Sequence, residues 1–526
     1  MNLSKYIIGT ICVFSFFTHT VDAQIKLTVD RNAVQQTIHN FGASDAWRTQ
    51  FVGKYWPLEK REAIADLLFS KDFDKNGNPK GVGLSLWRFN IGAGSTEQGD
   101  SSTIAHEWRR TECFLDKSGQ YNWNKQEGQR WFLEAARKRG VEKILGFTNA
   151  APYFMSKNGF ARSSGGIHLN LKPDQYTDYA RFLTEVCNHF KFDYLSPVNE
   201  PQWDWTGDSQ EGTPATNQEC SILIHHINRE LQRTNSKCKI TFGEAGAIRY
   251  LFNQNTDKPN RDNQIEDLFS DNGTFSISHL PHVNNCISGH SYWSVWKLDD
   301  LIAQRKALRE KIRQSAPGFE YWQSEYCVME KNDDIGGGPG RDLSINTALY
   351  VARIIHFDLT LANASSWQWW TAISEGDYKD GLVYIDDNKS QGSASPTDEI
   401  MTSCKTNGNY QSSKLLWALG NYSRFIRPEM KRIEISRNDS ISELNIAQGL
   451  MASAYLDTNS DKLVLVAVNY SKEPQNIIIS PINFSSKAKR TFKIYETSQT
   501  DNLSFKGKST GKYSIRARSI ITFVEE

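Results

Sequence analysis

At 526 residues, with 39% hydrophobic and 23% charged side chains, the chain is long enough to bury a barrel-sized core, and its composition is not that of a disordered or membrane protein. With 61 basic and 60 acidic residues it carries no electrostatic footprint for nucleic acid or an acidic membrane surface, so a neutral substrate fits better than a polyanion. Its 15 Trp, 20 Tyr and 27 Phe exceed what core packing requires, and aromatic faces of this kind stack on the apolar faces of sugars.

The first segment places Lys5 before an apolar run from Ile7 to Phe17, followed by Val21-Asp22-Ala23. That layout predicts a signal peptide cleaved after Ala23 and a secreted or periplasmic protein; the run is too short for a permanent bilayer span of ~20 residues. Cys12 lies behind Ile11, where a lipoprotein signal wants a small residue, so a soluble exported form is expected rather than a lipid-anchored one. Ile25, Leu27 and Val29 then alternate, and residues 24–38 are assigned to an N-terminal strand joining a β-domain elsewhere.

From 39 to 424 apolar runs alternate with amphipathic segments. Strands are predicted at 39–47, 85–94, 143–151, 194–201, 239–247, 287–293, 321–327 and 365–370. Helices are predicted after them, at 57–70, 125–139, 173–190, 217–234, 262–270, 299–314, 342–362 and 411–424. Eight strand–helix units imply a parallel sheet closed into a (β/α)₈ TIM barrel. Residues 425–526 read differently, as short alternating segments at 432–437, 450–457, 462–471, 475–480, 490–498 and 512–524. These predict a side antiparallel β-sandwich, with Leu463, Leu465 and Ala467 facing opposite to Val464, Val466 and Val468.

Barrel enzymes carry their chemistry at the C-terminal ends of the strands. Glu200 ends the fourth strand and Glu325 the seventh, positions that face each other across the barrel mouth, as cleavage of a glycosidic bond by two carboxylates requires. Arg88 on the second strand would hold Glu325 as the charged carboxylate, Tyr292 would donate a hydrogen bond to it, and His290 lies on the same strand face. Trp370, and Trp367 or Trp369 beside it, would form a platform under the sugar; Asp45, Trp47 and Asn149 complete the expected substrate-binding set. Glu244, after the fifth strand, does not face Glu200 as the seventh strand does and is set aside. Cys327 lacks an activating context for a thiol nucleophile. The seven cysteines left after Cys12 form no scaffold pattern, and His279 and His282 straddle Pro281, so neither metal nor cofactor is expected.

The strings SLWRFNIGAG at 85–94, GFTNAAPYFMSKNG at 146–159, SPVNEPQWDW at 196–205, SGHSYW at 288–293, WQSEYC at 322–327 and SSWQWW at 365–370 resemble glycoside hydrolase family 30, in its endo-β-1,6-galactanase branch. The resemblance spans the mature chain and implies a retaining mechanism with Glu200 as acid/base, Glu325 as nucleophile and Asn199 bonding the sugar 2-hydroxyl. Asn149 stands where many members of the wider family carry Trp, so the innermost sugar site cannot be copied from the glucosidase members. The expected activity is that of a monomeric endo-hydrolase of β-1,6-galactan side chains of arabinogalactan, taking poly- or oligosaccharide and neither nucleic acid nor membrane as partner. Alternatives are a β-1,6-glucanase, a xylan-cleaving or exo-acting β-glycosidase of the same family, or a catalytically silent glycan-binding protein.

Overall fold

The computed structural model describes residues 24–166, 168–387, 403–484 and 490–526, so the signal-peptide reading of residues 1–23 lies outside the described residues. After β1 (Ile25–Thr37) come the barrel strands β2 (Asn40–Ser44), β3 (Leu86–Asn90), β4 (Lys143–Phe147), β5 (Tyr194–Ser196), β6 (Lys239–Ala245), β7 (Val283–His290), β8 (Glu320–Glu325) and β9 (Ala364–Trp369). Neighbours pair in parallel, and β2 meets β9 from Asn40 opposite Ser366 to Ala43 opposite Trp369, which closes the barrel. All eight predicted strands are present.

The outer helices form because their apolar residues recur every three or four positions. In Asn217–Arg233, Cys220, Leu223, Ile224, Ile227 and Leu231 are buried on one face. Its start is fixed by Thr216, whose hydroxyl accepts from the Glu219 N–H while the Glu219 carboxylate accepts from the Thr216 N–H. The helix predicted at 262–270 is only a five-residue wide turn, Ile265–Phe269: Asn260 and Asn263 take left-handed conformations just before it and Ser270 is extended just after. The helix predicted from 411 starts at Lys414, because Asn409–Ser412 is a strand. That strand, β12, belongs to a small sheet with β10 (Ile373–Ser374) and β11 (Val383–Asp386) that the sequence did not signal.

The side domain is one nine-stranded sheet in the order β18-β17-β20-β15-β14-β13-β1-β16-β19. Its C-terminal members are β13 (Lys431–Arg437), β14 (Leu450–Asp457), β15 (Lys462–Asn469), β16 (Gln475–Ile482), β17 (Phe492–Thr497), β18 (Ser504–Ser509), β19 (Lys512–Ile515) and β20 (Ser519–Glu525). Neighbours are antiparallel except β1 and β16, which run parallel. The sheet folds over on itself, bringing Tyr513 of the edge strand β19 within 5.6 Å of Phe523 on β20, ring centre to ring centre. Leu463, Leu465 and Ala467 point into the core between its layers. Val464, Val466 and Val468 point the other way and join the barrel's own core, so two opposite faces of β15 are buried in two different cores.

Candidate active site

Glu325 is the last residue of β8, and Glu200 follows β5 by four positions at a left-handed φ of 46°. A non-glycine residue held there costs energy unless its surroundings fix it. Here the Glu200 N–H donates to the Glu244 carbonyl at 3.0 Å, while the Glu200 carbonyl accepts from the Trp203 N–H and the Trp205 indole. One carboxylate oxygen of Glu200, one of Glu325 and a ring nitrogen of His290 all lie within 4.8 Å of one another.

Both oxygens of Glu325 are engaged: Arg88 Nη1 donates to one at 2.5 Å and the Tyr292 hydroxyl to the other at 3.0 Å. Arg88 Nη2 also donates to Asn199 Oδ1 at 3.0 Å and to Glu244 at 3.1 Å. Because a guanidinium only donates, the Asn199 amide must turn its oxygen towards Arg88, leaving its NH₂ end for another partner. His290 bridges two carboxyls, with Nδ1 2.8 Å from Glu200 and Nε2 3.0 Å from Glu244.

The electrostatics separate these groups. Burial raises the Glu200 carboxyl above its ordinary range; the His290 bond and charge oppose the rise and the Glu325 charge adds to it. For Glu244 burial acts the same way, but the bond from His290 and the charge of Arg88 overcome it and hold the carboxyl low. Burial disfavours a charged His290, yet Glu325 and the bonds to Glu200 and Glu244 outweigh it and bring the imidazole to about 10. At neutral pH the site therefore holds an imidazolium between an ionised Glu244 and a Glu200 carboxyl that is pushed the opposite way, above its ordinary range. Burial drives the Cys327 thiol well above its ordinary range, which rules against a thiolate nucleophile.

A cavity of about 830 Å³ opens over this cluster. Of the residues expected from sequence, Asn199, Glu200, Tyr292, Glu325 and Trp370 line it. Arg88 and His290 do not: both are fully buried beside the carboxylates they bond. Trp367 is displaced from its expected place under the sugar. Side chains alternate along β9, so Trp367 and Trp369 face the helices, where the Trp367 indole donates to Asp358 at 2.9 Å, and only Trp370, beyond the strand end, turns to the cavity. Trp47 sits one layer back with Trp370 edge-on to it, ring centres 5.2 Å apart. Asp45 is a structural carboxyl, accepting from the Asn90 N–H and the Gln129 amide, with burial lifting it to about 8 against those bonds. Asn149 is buried outside the cavity lining, with neither end of its amide partnered among the described residues.

Sequence reasoning missed other residues here. Glu244 stood at a strand end, the same signal that singled out Glu200, and was discarded on strand position alone. The cavity wall also includes Arg48, paired with Glu375 at 2.5 Å, together with Arg109 and Asp380. Glu375 and Asp380 come from the loop between β10 and β11, which no periodicity in the sequence marked.

The sequence profile of O-glycosyl hydrolase family 30 matches residues 24–384. The chain belongs to this family. It is thus an O-glycoside hydrolase, and the barrel with its side sandwich is the family's layout. Relatives include an endo-β-1,6-galactanase of Hypocrea rufa, 25% identical over 405 residues that cover 72% of this chain and 74% of that protein. Among solved structures, a conserved exported protein from Bacteroides fragilis is 39% identical, with a TM-score of 0.88 over 95% of this chain and 99% of that one. The catalytic domain of the family 30 xylanase C from Talaromyces cellulolyticus shares the fold at 19% identity and a TM-score of 0.65, over 95% of this chain and 100% of that one.

Proposed function

We propose that this family 30 hydrolase is an exported, retaining endo-β-1,6-galactanase acting on the side chains of arabinogalactan, with Glu325 as nucleophile and Glu200 as acid/base. The observation that carries the reading is the approach of the two carboxylates to within 4.8 Å. Retaining enzymes hold their carboxyls ~5–5.5 Å apart, whereas inverting ones need ~6.5–9.5 Å to admit a water. The galactan assignment leans on the Hypocrea rufa relative, and export on the N-terminal segment and the exported Bacteroides fragilis relative.

The hydrogen bonds support the following cycle. Glu200 protonates the glycosidic oxygen as the bond to the anomeric carbon breaks, and the Glu325 oxygen, held by Arg88 and Tyr292, attacks that carbon from the opposite face. Esterification removes the Glu325 charge, one of the influences that raise Glu200. Glu200 then takes a proton from water, the water displaces Glu325, and two inversions give net retention. The Asn199 NH₂ end, left free by the bond from Arg88, would hold the sugar 2-hydroxyl.

NMR of the first products from a β-1,6-galactan should show the β-anomer before mutarotation, and a panel with β-1,6-glucan and xylan should show galactan cleaved fastest into mixed oligosaccharides. An α-anomer first would remove Glu325 as nucleophile. Preference for glucan or xylan would overturn the sugar assignment, release of single sugars alone the endo assignment, and binding without turnover the catalytic one.

A further inference from the structure

We propose that Trp203 and Trp205 form a preformed binding platform for the leaving-group sugar, in the cavity wall that carries Glu200; this rests on Glu200 being the proton donor. A general acid must lie beside the oxygen it protonates, so the departing sugar sits against Glu200 and the loop that carries it. Trp203 and Trp205 follow Glu200 by three and five positions, and both line the cavity while remaining partly exposed.

Both rings are fixed before any sugar arrives. Trp203 is tied to the loop through its backbone N–H, which donates to the Glu200 carbonyl at 3.1 Å. Tyr250 meets its ring edge-on at 5.9 Å, and the Lys258 ammonium lies 5.5 Å from the ring centre. It packs so closely on Gly246 that a Cβ there would fall 2.2 Å from the indole nitrogen. Trp205 adopts a left-handed φ of 52°, donates its indole N–H to the Glu200 carbonyl at 3.1 Å, and lies over Gly212, where a Cβ would stand 2.4 Å from the ring. Between them Asp204 points away and pairs with Arg261 at 2.7 Å.

Two glycines, an ion pair and the Trp205 indole hydrogen bond thus hold two partly exposed aromatic rings at a cavity wall. A half-exposed ring is not what the barrel core needs. Such rigidity suits a ligand face, because a surface ordered in advance loses little entropy on binding. The ligand class is a pyranose presenting its C–H face, and the same platform would bind an incoming acceptor sugar when the glycosyl-enzyme partitions between water and a second carbohydrate.

The test uses that partition, which reads the platform independently of the first step. β-1,6-Galactobiosyl fluoride serves as donor, since fluoride leaves without needing the platform, and methyl β-galactoside as acceptor. Stacking worth ~0.5–1.5 kcal/mol beyond area burial predicts that Trp205→Ala lowers the transfer-to-hydrolysis ratio by about two- to tenfold, with Trp205→Phe restoring most of it. An unchanged ratio in Trp205→Ala overturns the proposal, and so does an equal loss in Trp205→Phe, which would mean that loop shape and not the aromatic face matters. Failure of the catalytic reading looks different: the unaltered enzyme would release the α-anomer from the fluoride and form no transfer product.

Discussion

The His290 imidazole donates to Glu200 across 2.8 Å, and its charge opposes the burial that raises that carboxyl. The proposed mechanism needs Glu200 protonated in the free enzyme, so activity should be present below its pKa and lost as pH rises through it. His290→Gln keeps a side-chain donor but removes the charge, leaving burial and Glu325 less opposed. The alkaline limb of kcat/KM should move to higher pH, while kcat loses part of the ~10²–10⁴-fold that a placed general acid supplies. A limb unmoved or shifted to lower pH would show that His290 does not tune Glu200.

The two carboxylates should fail differently when removed. Glu325→Ala should abolish turnover of every substrate, because no glycosyl-enzyme can form. Glu200→Ala should spare the first step for aryl glycosides with good leaving groups, which need little protonation, and should accumulate the covalent intermediate detectable by mass spectrometry. Equal loss for both variants on aryl and natural substrates would refute this division of labour.

Trp367 tests the distinction between a barrel-wall indole and a sugar platform. Its N–H donates to Asp358, which also takes the Arg305 guanidinium at 2.7 Å. Trp367→Phe removes one donor from a buried carboxylate and should lower stability in urea unfolding by ~1.5–3 kcal/mol, the usual range for a bond to a charged group. KM should not change. Trp370→Phe should do the opposite, raising KM with little effect on unfolding.

Removal of residues 425–526 should yield insoluble or unfolded protein. Val464, Val466, Val468 and Ile520 share the barrel's core, alongside the helices Ile345–Thr360 and Lys414–Ser423. Their loss would bare an apolar surface larger than a few hundred Å². Recovery of a soluble barrel with normal kcat would instead identify the sandwich as an independent module.

The barrel was legible in the sequence because its strands and helices obey two short periods, and Glu200 and Glu325 were legible because strand ends converge on one mouth. What escaped has physical reasons. Three tryptophans within four residues look equivalent in a string, but alternation along β9 sends Trp367 and Trp369 outward and leaves Trp370 alone at the cavity. Glu244 was set aside for not facing Glu200, yet His290 spans the gap and ties the two together. Asp45 occupies a strand end as Glu200 and Glu325 do, but its partners are the Asn90 backbone and Gln129, so its location alone was misleading. The small sheet that delivers Glu375 and Asp380 is made of strands of two to four residues, too short for any periodic signal.

The position of β1 between β13 and β16 bears on how the molecule is made. The Lys26 N–H donates to Asn438, 412 positions further along the chain, and β1 has no other sheet to join. A ribosome adding ~5–20 residues per second leaves this strand waiting roughly 20–80 s for its two neighbours. Throughout that interval Leu27 and Val29 stand uncovered beside unmet backbone groups. A chain cut short before residue 431 lacks both β13 and β16, so the same strand that closes the finished sheet leaves an apolar face and two unpaired backbone edges on every such fragment.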